Sequence, residues 1–65
     1  MKTSDQIERR ARELMLATRV QQDICDEGHI MYVFVDEHGV ASATFMSFIE
    51  AYKYRMMYII CKLEG

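Results

Sequence analysis

The chain has 65 residues, with eight Lys and Arg against ten Asp and Glu for a formal net charge of -2, and 51% of its residues are hydrophobic. A chain this short reads as one compact domain, residues 1–65. It buries only about 60% of the surface its unfolded form exposes, and so needs a supplement from disulfides, a metal or association. The mildly acidic balance argues against a dedicated nucleic-acid binder, and the high hydrophobic share without proline argues against disorder. No run approaches the ~18 apolar residues of a membrane span, because Lys53, Arg55 and Lys62 interrupt the best candidate.

Two cysteines, Cys25 and Cys61, can form at most one bridge, and the chain turns polar from its first residues instead of opening on a signal peptide. Free thiols in a reducing cytoplasm are the expected setting.

Thr3, Ser4 and Asp5 offer N-caps, and Thr3 with Gln6 and Asp5 with Glu8 have capping-box spacing. A first helix is predicted from here to about Ile24 or Cys25, with Asp26, Glu27 and Gly28 as its stop. Ile7, Ala11 and Leu14 mark one face, and Leu14, Ala17, Val20 and Ile24 continue on a rotated one, with Leu16 beside Val20. Such a winding stripe predicts contact with two neighbours, the hairpin and either the last helix or another protomer.

His29 to Val35 and Val40 to Phe45 are strand-like runs separated by Asp36-Glu37-His38-Gly39. Asp at the first turn position and Gly at the fourth predict a type I turn closed by a left-handed glycine with a G1 bulge. Pairing Asp36 with Val40 then sets Val35 against Ala41, Val33 against Ala43 and Met31 against Phe45 on one apolar face, the expected core. Ile30, Tyr32, Phe34, Ser42, Thr44 and Met46 occupy the other, expected to be covered partly by another subunit.

Ser47 with Glu50 supplies a capping box for a second helix from Phe48, with Lys62 in its last turn and Gly65 at its end. Phe48, Ile49, Tyr52, Met56, Ile59, Ile60 and Leu63 form an expected core stripe. Roughly opposite, Ala51, Tyr54, Met57, Tyr58 and Cys61 form a second apolar stripe where an isolated surface helix would be polar. Tyr and Met are enriched at interfaces, so Tyr54, Met57, Tyr58 and Cys61 are the predicted partner surface, unless the first helix covers them within the chain.

The chemistry-bearing residues point to no reaction. Cys25 and His29 form one Cys-x-x-x-His pair, whereas a structural zinc site needs four ligands, and His38 belongs at the far end of the hairpin. Cys25 and His29 lack a third orienting group, Ser42 and Ser47 lie in no nucleophile motif, and the three glycines are isolated, so none cradles phosphate. Asp23, Asp26 and Glu27 read as a solvated acidic end. Arg9, Arg10, Arg12 and Arg19 concentrate positive charge on the first helix, where Glu8 with Arg12 and Arg9 with Glu13 are spaced to pair. Arg9, Arg12 and Arg19 are the candidates for phosphate or an acidic partner.

The expected fold is α+β, in the order helix, β-hairpin, helix (αββα), with both helices packed on the hairpin and the unit completed by dimerisation. The expected function is that of a small non-enzymatic cytoplasmic regulator or accessory protein with neither cofactor nor metal. It would bind protein partners as a homodimer through apolar helix faces. A nucleic-acid-associated regulator is the alternative.

Overall fold

The computed structural model describes residues 4–65, so the Thr3 cap lies outside the described residues. Helix α1 spans Ser4–Ala17, strands β1 Arg19–Ile24, β2 Ile30–Val35 and β3 Ala41–Phe45 follow, and helix α2 spans Phe48–Glu64. The strands form an antiparallel sheet in the order β1-β2-β3. The α+β class and the second helix are as the sequence predicts. The predicted first helix, however, is a shorter helix followed by a strand, so the sheet has three strands instead of a two-stranded hairpin.

The reason lies at Thr18. Its backbone N–H and its Oγ1 both donate to the Leu14 carbonyl, at 2.9 and 2.6 Å, and Thr18 is buried. Arg55 from α2 donates to the carbonyls of Met15 and Thr18, closing the helix end with a cation as the last carbonyls of a helix favour. Val20, Gln22 and Ile24 then alternate with period two along β1, facing Phe34, Tyr32 and Ile30 of β2. Gly28, read as a helix stop, is instead the left-handed residue of a hairpin turn, with φ 84° and its N–H donating to the Cys25 carbonyl.

The second turn forms as predicted. Gly39 has φ 78° and donates to the Asp36 carbonyl, while Asp36 Oδ1 accepts from the N–H groups of His38 and Val40 at 2.9 and 3.0 Å. The same four-residue geometry closes both hairpins. These N–H donors, Val40 foremost, hold the Asp36 carboxyl below the usual carboxylate range.

Val35 opposes Ala41 as expected, but the register shifts by one beside it, and Phe34, Val33 and Tyr32 oppose Ala43, Thr44 and Phe45. Ser42 is the extra residue of a β-bulge. One added residue turns the rest of β3 over, so Phe45 and Ala43 join the face of Tyr32 and Phe34. That face carries α2. Phe34 is fully buried, with its ring centroid 5.2 Å from Tyr54 and 4.9 Å from Tyr58, and Phe45 lies 5.3 Å from Tyr54. The face assigned to another subunit is thus the one the chain covers itself. Val33 and Val35 on the opposite face are also buried, as central-strand residues flanked on both sides.

The capping box at the start of α2 does not form through the Ser47 side chain; the Ser47 carbonyl accepts from Ala51 N–H at 3.1 Å. At the other end Gly65 N–H donates to the Cys61 carbonyl and Lys62 lies over the Tyr58 ring, 5.4 Å from its centroid. No helix among the described residues is long and apolar enough to cross a membrane.

Candidate functional site

The two stripes of α2 exchange roles. Ala51 is buried, Tyr54 and Tyr58 pack on Phe34, and only Met57 and Cys61 of the second stripe stand clear of the sheet. Of the stripe expected as core, Ile59 is buried, whereas Phe48, Ile49, Tyr52 and Ile60 are exposed. The exchange follows from the bulge, because an aromatic sheet face centred on Phe34 accepts tyrosine rings edge-on and leaves the aliphatic side of the helix outside.

Tyr58 is held further by its O–H, which donates to Glu37 Oε1 in the second turn. That hydrogen bond, with burial and nearby negative charge, pushes the Tyr58 hydroxyl up to about 12. The same bond is the main cause that lowers the Glu37 carboxyl below its ordinary value. Glu37 Oε2 is buried without a hydrogen-bond partner, and His38 Nε2 lies 3.9 Å from Glu37 Oε1. The pair therefore ties the turn to the helix.

Exposed apolar residues gather at the end of the sheet nearest the first turn. Ile24 and Ile30 are cross-strand partners there, on the face of Tyr32. The Tyr32 ring is 5.6 Å from Phe48, and Phe48 is 6.2 Å from Tyr52. Ile24 is 65% exposed and Phe48 53%. Asp26 and Glu27 stand in the first turn beside these residues, whereas Asp23 pairs with Met31 on the opposite face, and all three acids are exposed.

Helix α1 is the complementary case. Only Leu14 of its residues is buried, and every residue from Ser4 to Arg10 is exposed. An isolated helix of this length is marginal in water, because nucleation costs more than its few hydrogen bonds return. Arg10 pairs with Glu13 at 3.4 Å, while the predicted pairs Glu8 with Arg12 and Arg9 with Glu13 do not form. Arg9 and Arg12 are exposed and make no ion pair among the described residues. Arg19 lies in β1 instead, where its Nε donates to Gln21 Oε1 at 3.2 Å.

The unburied surface is measurable. The accessible surface is 5009 Å², against about 4,300 Å² for a folded monomer of this mass, an excess of roughly 700 Å². The radius of gyration is 13.5 Å, where about 11 Å is usual for the length.

Cys25 and His29 meet across the first turn through the backbone, Cys25 N–H donating to the His29 carbonyl at 2.9 Å. The His29 ring points to Glu27, 3.7 Å away. Among the described residues no three His, Cys, Asp or Glu converge on a point that could hold a metal ion. No protein-family model matches the chain, and neither a curated protein nor a solved structure is significantly similar to it.

Proposed function

We propose that this chain is a small accessory or regulatory protein that acts by binding other protein surfaces, and that it does so as a homodimer through apolar helix faces. The observation that carries the reading is the exposure of large apolar side chains, among them Ile7 and Leu16 on α1 and Ile49, Tyr52, Met57 and Ile60 on α2. Exposed apolar area of this kind in a small domain marks an interaction surface. The working face is the side of α2 bearing Ile49, Tyr52 and Ile60, continued by Met57 and Cys61 from the sequence-predicted set. Tyr54 and Tyr58 support it from the sheet side. Its mode of action is occlusion or scaffolding, without turnover of a substrate.

Absolute mass by light scattering over a dilution series, at low and high salt, tests the proposal. A mass of twice the chain that falls to one on dilution supports it. A monomer at every concentration overturns it.

A second reading has one specific support, the exposure of Arg9 and Arg12 without carboxylate partners among the described residues. In that reading α1 contacts nucleic-acid phosphate, and Arg19 contributes separately from β1. Binding to duplex or single-stranded nucleic acid that weakens steeply with salt would select it.

A further inference from the structure

We infer that two copies of the chain join along β1, edge to edge and antiparallel about a two-fold axis through Gln21, so that Arg19 of each copy stands opposite Asp23 of the other. The inference rests on the homodimer proposed above and names its seam, leaving the outward side of α2 for other proteins. Strand β1 is an edge of the sheet, and all its residues except Val20 are exposed. Cys25 N–H donates to the His29 carbonyl, and bonded pairs alternate along an antiparallel ladder. Arg19, Gln21 and Asp23 therefore turn their backbone groups to β2, while Val20, Gln22 and Ile24 turn theirs outward. Ile24 N–H already donates to Asp23 Oδ1 at 2.9 Å. Nothing among the described residues meets the outward N–H and carbonyl of Val20 or Gln22. The other edge differs, because the bulge at Ser42 breaks the register of β3, a device that discourages edge pairing, whereas β1 runs against β2 without a break.

The open backbone groups and the charges select the same register. Pairing Val20 with Gln22 of the second copy, and Gln22 with Val20, satisfies every one of these open groups and leaves the Ile24 cap intact. The axis then falls on Gln21, and Arg19 and Asp23, which flank it symmetrically, become close non-hydrogen-bonded pairs across the seam. Both lie on the sheet face opposite α2, both are exposed, and neither has an ion-pair partner among the described residues. Arg19 uses only its Nε, on Gln21 Oε1, so its terminal nitrogens are available. Within one chain the two charges are about 13 Å apart, at about 3.3 Å per residue, too far to satisfy each other. Moving the axis to Val20 or Gln22 would call on Thr18 or Ile24, whose groups are already engaged, and would set neither charge opposite its complement. The joined sheet is continuous, with both α2 helices on one side, as an isologous pair requires.

Sedimentation equilibrium on full-length chains at low salt tests the seam with Arg19→Asp and Asp23→Arg. Either substitution alone sets like charges opposite each other at both ends of the seam and should weaken self-association about tenfold. An equimolar mixture of the two restores an opposite pair at both ends, so it should form a mixed dimer about tenfold tighter than either variant forms alone. Circular dichroism checks that each variant is folded. Gln22→Pro removes an outward N–H without removing a ladder bond to β2, and should also weaken the dimer about tenfold. Thr44→Lys, exposed on β3, should leave it unchanged. A mixture no tighter than its components, or a dimer insensitive to Gln22→Pro, overturns this seam and leaves the proposed dimer standing. A wild-type chain that never dimerises removes both.

Discussion

Arg55 and Thr18 are 37 residues apart in sequence, yet Arg55 Nε donates to Thr18 Oγ1 at 3.1 Å and its Nη2 to the Thr18 carbonyl at 3.0 Å. The guanidinium also bonds the Met15 carbonyl. One side chain thus ends α1, starts β1 and joins both to α2. Arg55→Met should lower the unfolding free energy by about 2 kcal/mol, as hydrogen bonds to a charged group are lost and helix-end carbonyls are left open. Arg55→Lys should recover less than half, since an ammonium cannot reproduce the fork. Urea unfolding checks both. If Arg55→Met costs under about 0.5 kcal/mol, within the ordinary range for surface substitutions, the junction is held by something else.

The exchange of faces on α2 predicts contrasting effects at neighbouring positions. Ile59 is 3% exposed and Ile60 45%. Ile59→Ala should cost about 2–5 kcal/mol and Phe34→Ala about 3–5 kcal/mol, as buried large-to-small changes. Against a total stability of roughly 3–10 kcal/mol for a domain this size, either can unfold the chain. Ile60→Ala should cost less than about 1 kcal/mol. Thermal melts at the lowest usable protein concentration separate these, because association would otherwise add to the stability. Equal losses at Ile59 and Ile60 would contradict the packing of α2.

The Tyr58–Glu37 bond sets limits on stability at both ends of the pH scale. The folded Glu37 carboxyl is depressed, so its contribution is complete above its unfolded value of about 4.3 and is lost as pH falls through the lower folded value. Tyr58 is raised to about 12, so its contribution is complete below its unfolded value near 10 and is lost as pH rises toward 12. Tyr58→Phe removes the shared bond and should flatten both flanks of the stability–pH curve relative to wild type. In wild type, absorbance at tyrosinate wavelengths should show one tyrosine ionising last. A variant with the wild-type pH dependence would assign these flanks to other groups.

Both hairpin turns rest on a left-handed glycine. A Cβ at Gly28 or Gly39 would touch nothing within 4 Å, so only the positive φ opposes substitution. Alanine at either site should cost about 1–2 kcal/mol, the penalty of that conformation for a residue with a Cβ. Asparagine should cost less, since it tolerates this region. Chemical denaturation of the four single variants tests the pattern. An alanine variant as stable as wild type would mean that the turn changes type to relieve it.

Local chemistry decided much of this protein in advance. The Asp36-to-Gly39 turn, the pairing of Val35 with Ala41, the start of α2 at Phe48 and the burial of Ile59 could be read from adjacent residues, because turn geometry and helical periodicity are short-range properties. The end of α1 was less legible. Val20, Gln22 and Ile24 fit a strand by alternation and a helix by spacing, and the choice was made by Arg55, 37 residues from Thr18. The Asp26-Glu27-Gly28 stop was ambiguous for the same reason, since a left-handed glycine closes a helix or a hairpin equally well; its match to the turn eleven residues later was the one local clue. Which stripe of α2 faces the sheet was decided only in three dimensions. The bulge at Ser42 turns Phe45 toward Phe34, and the aromatic face so assembled selects Tyr54 and Tyr58 over the aliphatic stripe. The sequence by itself determined that apolar surface exceeds what one small chain can bury; tertiary packing determined which of that surface is left outside.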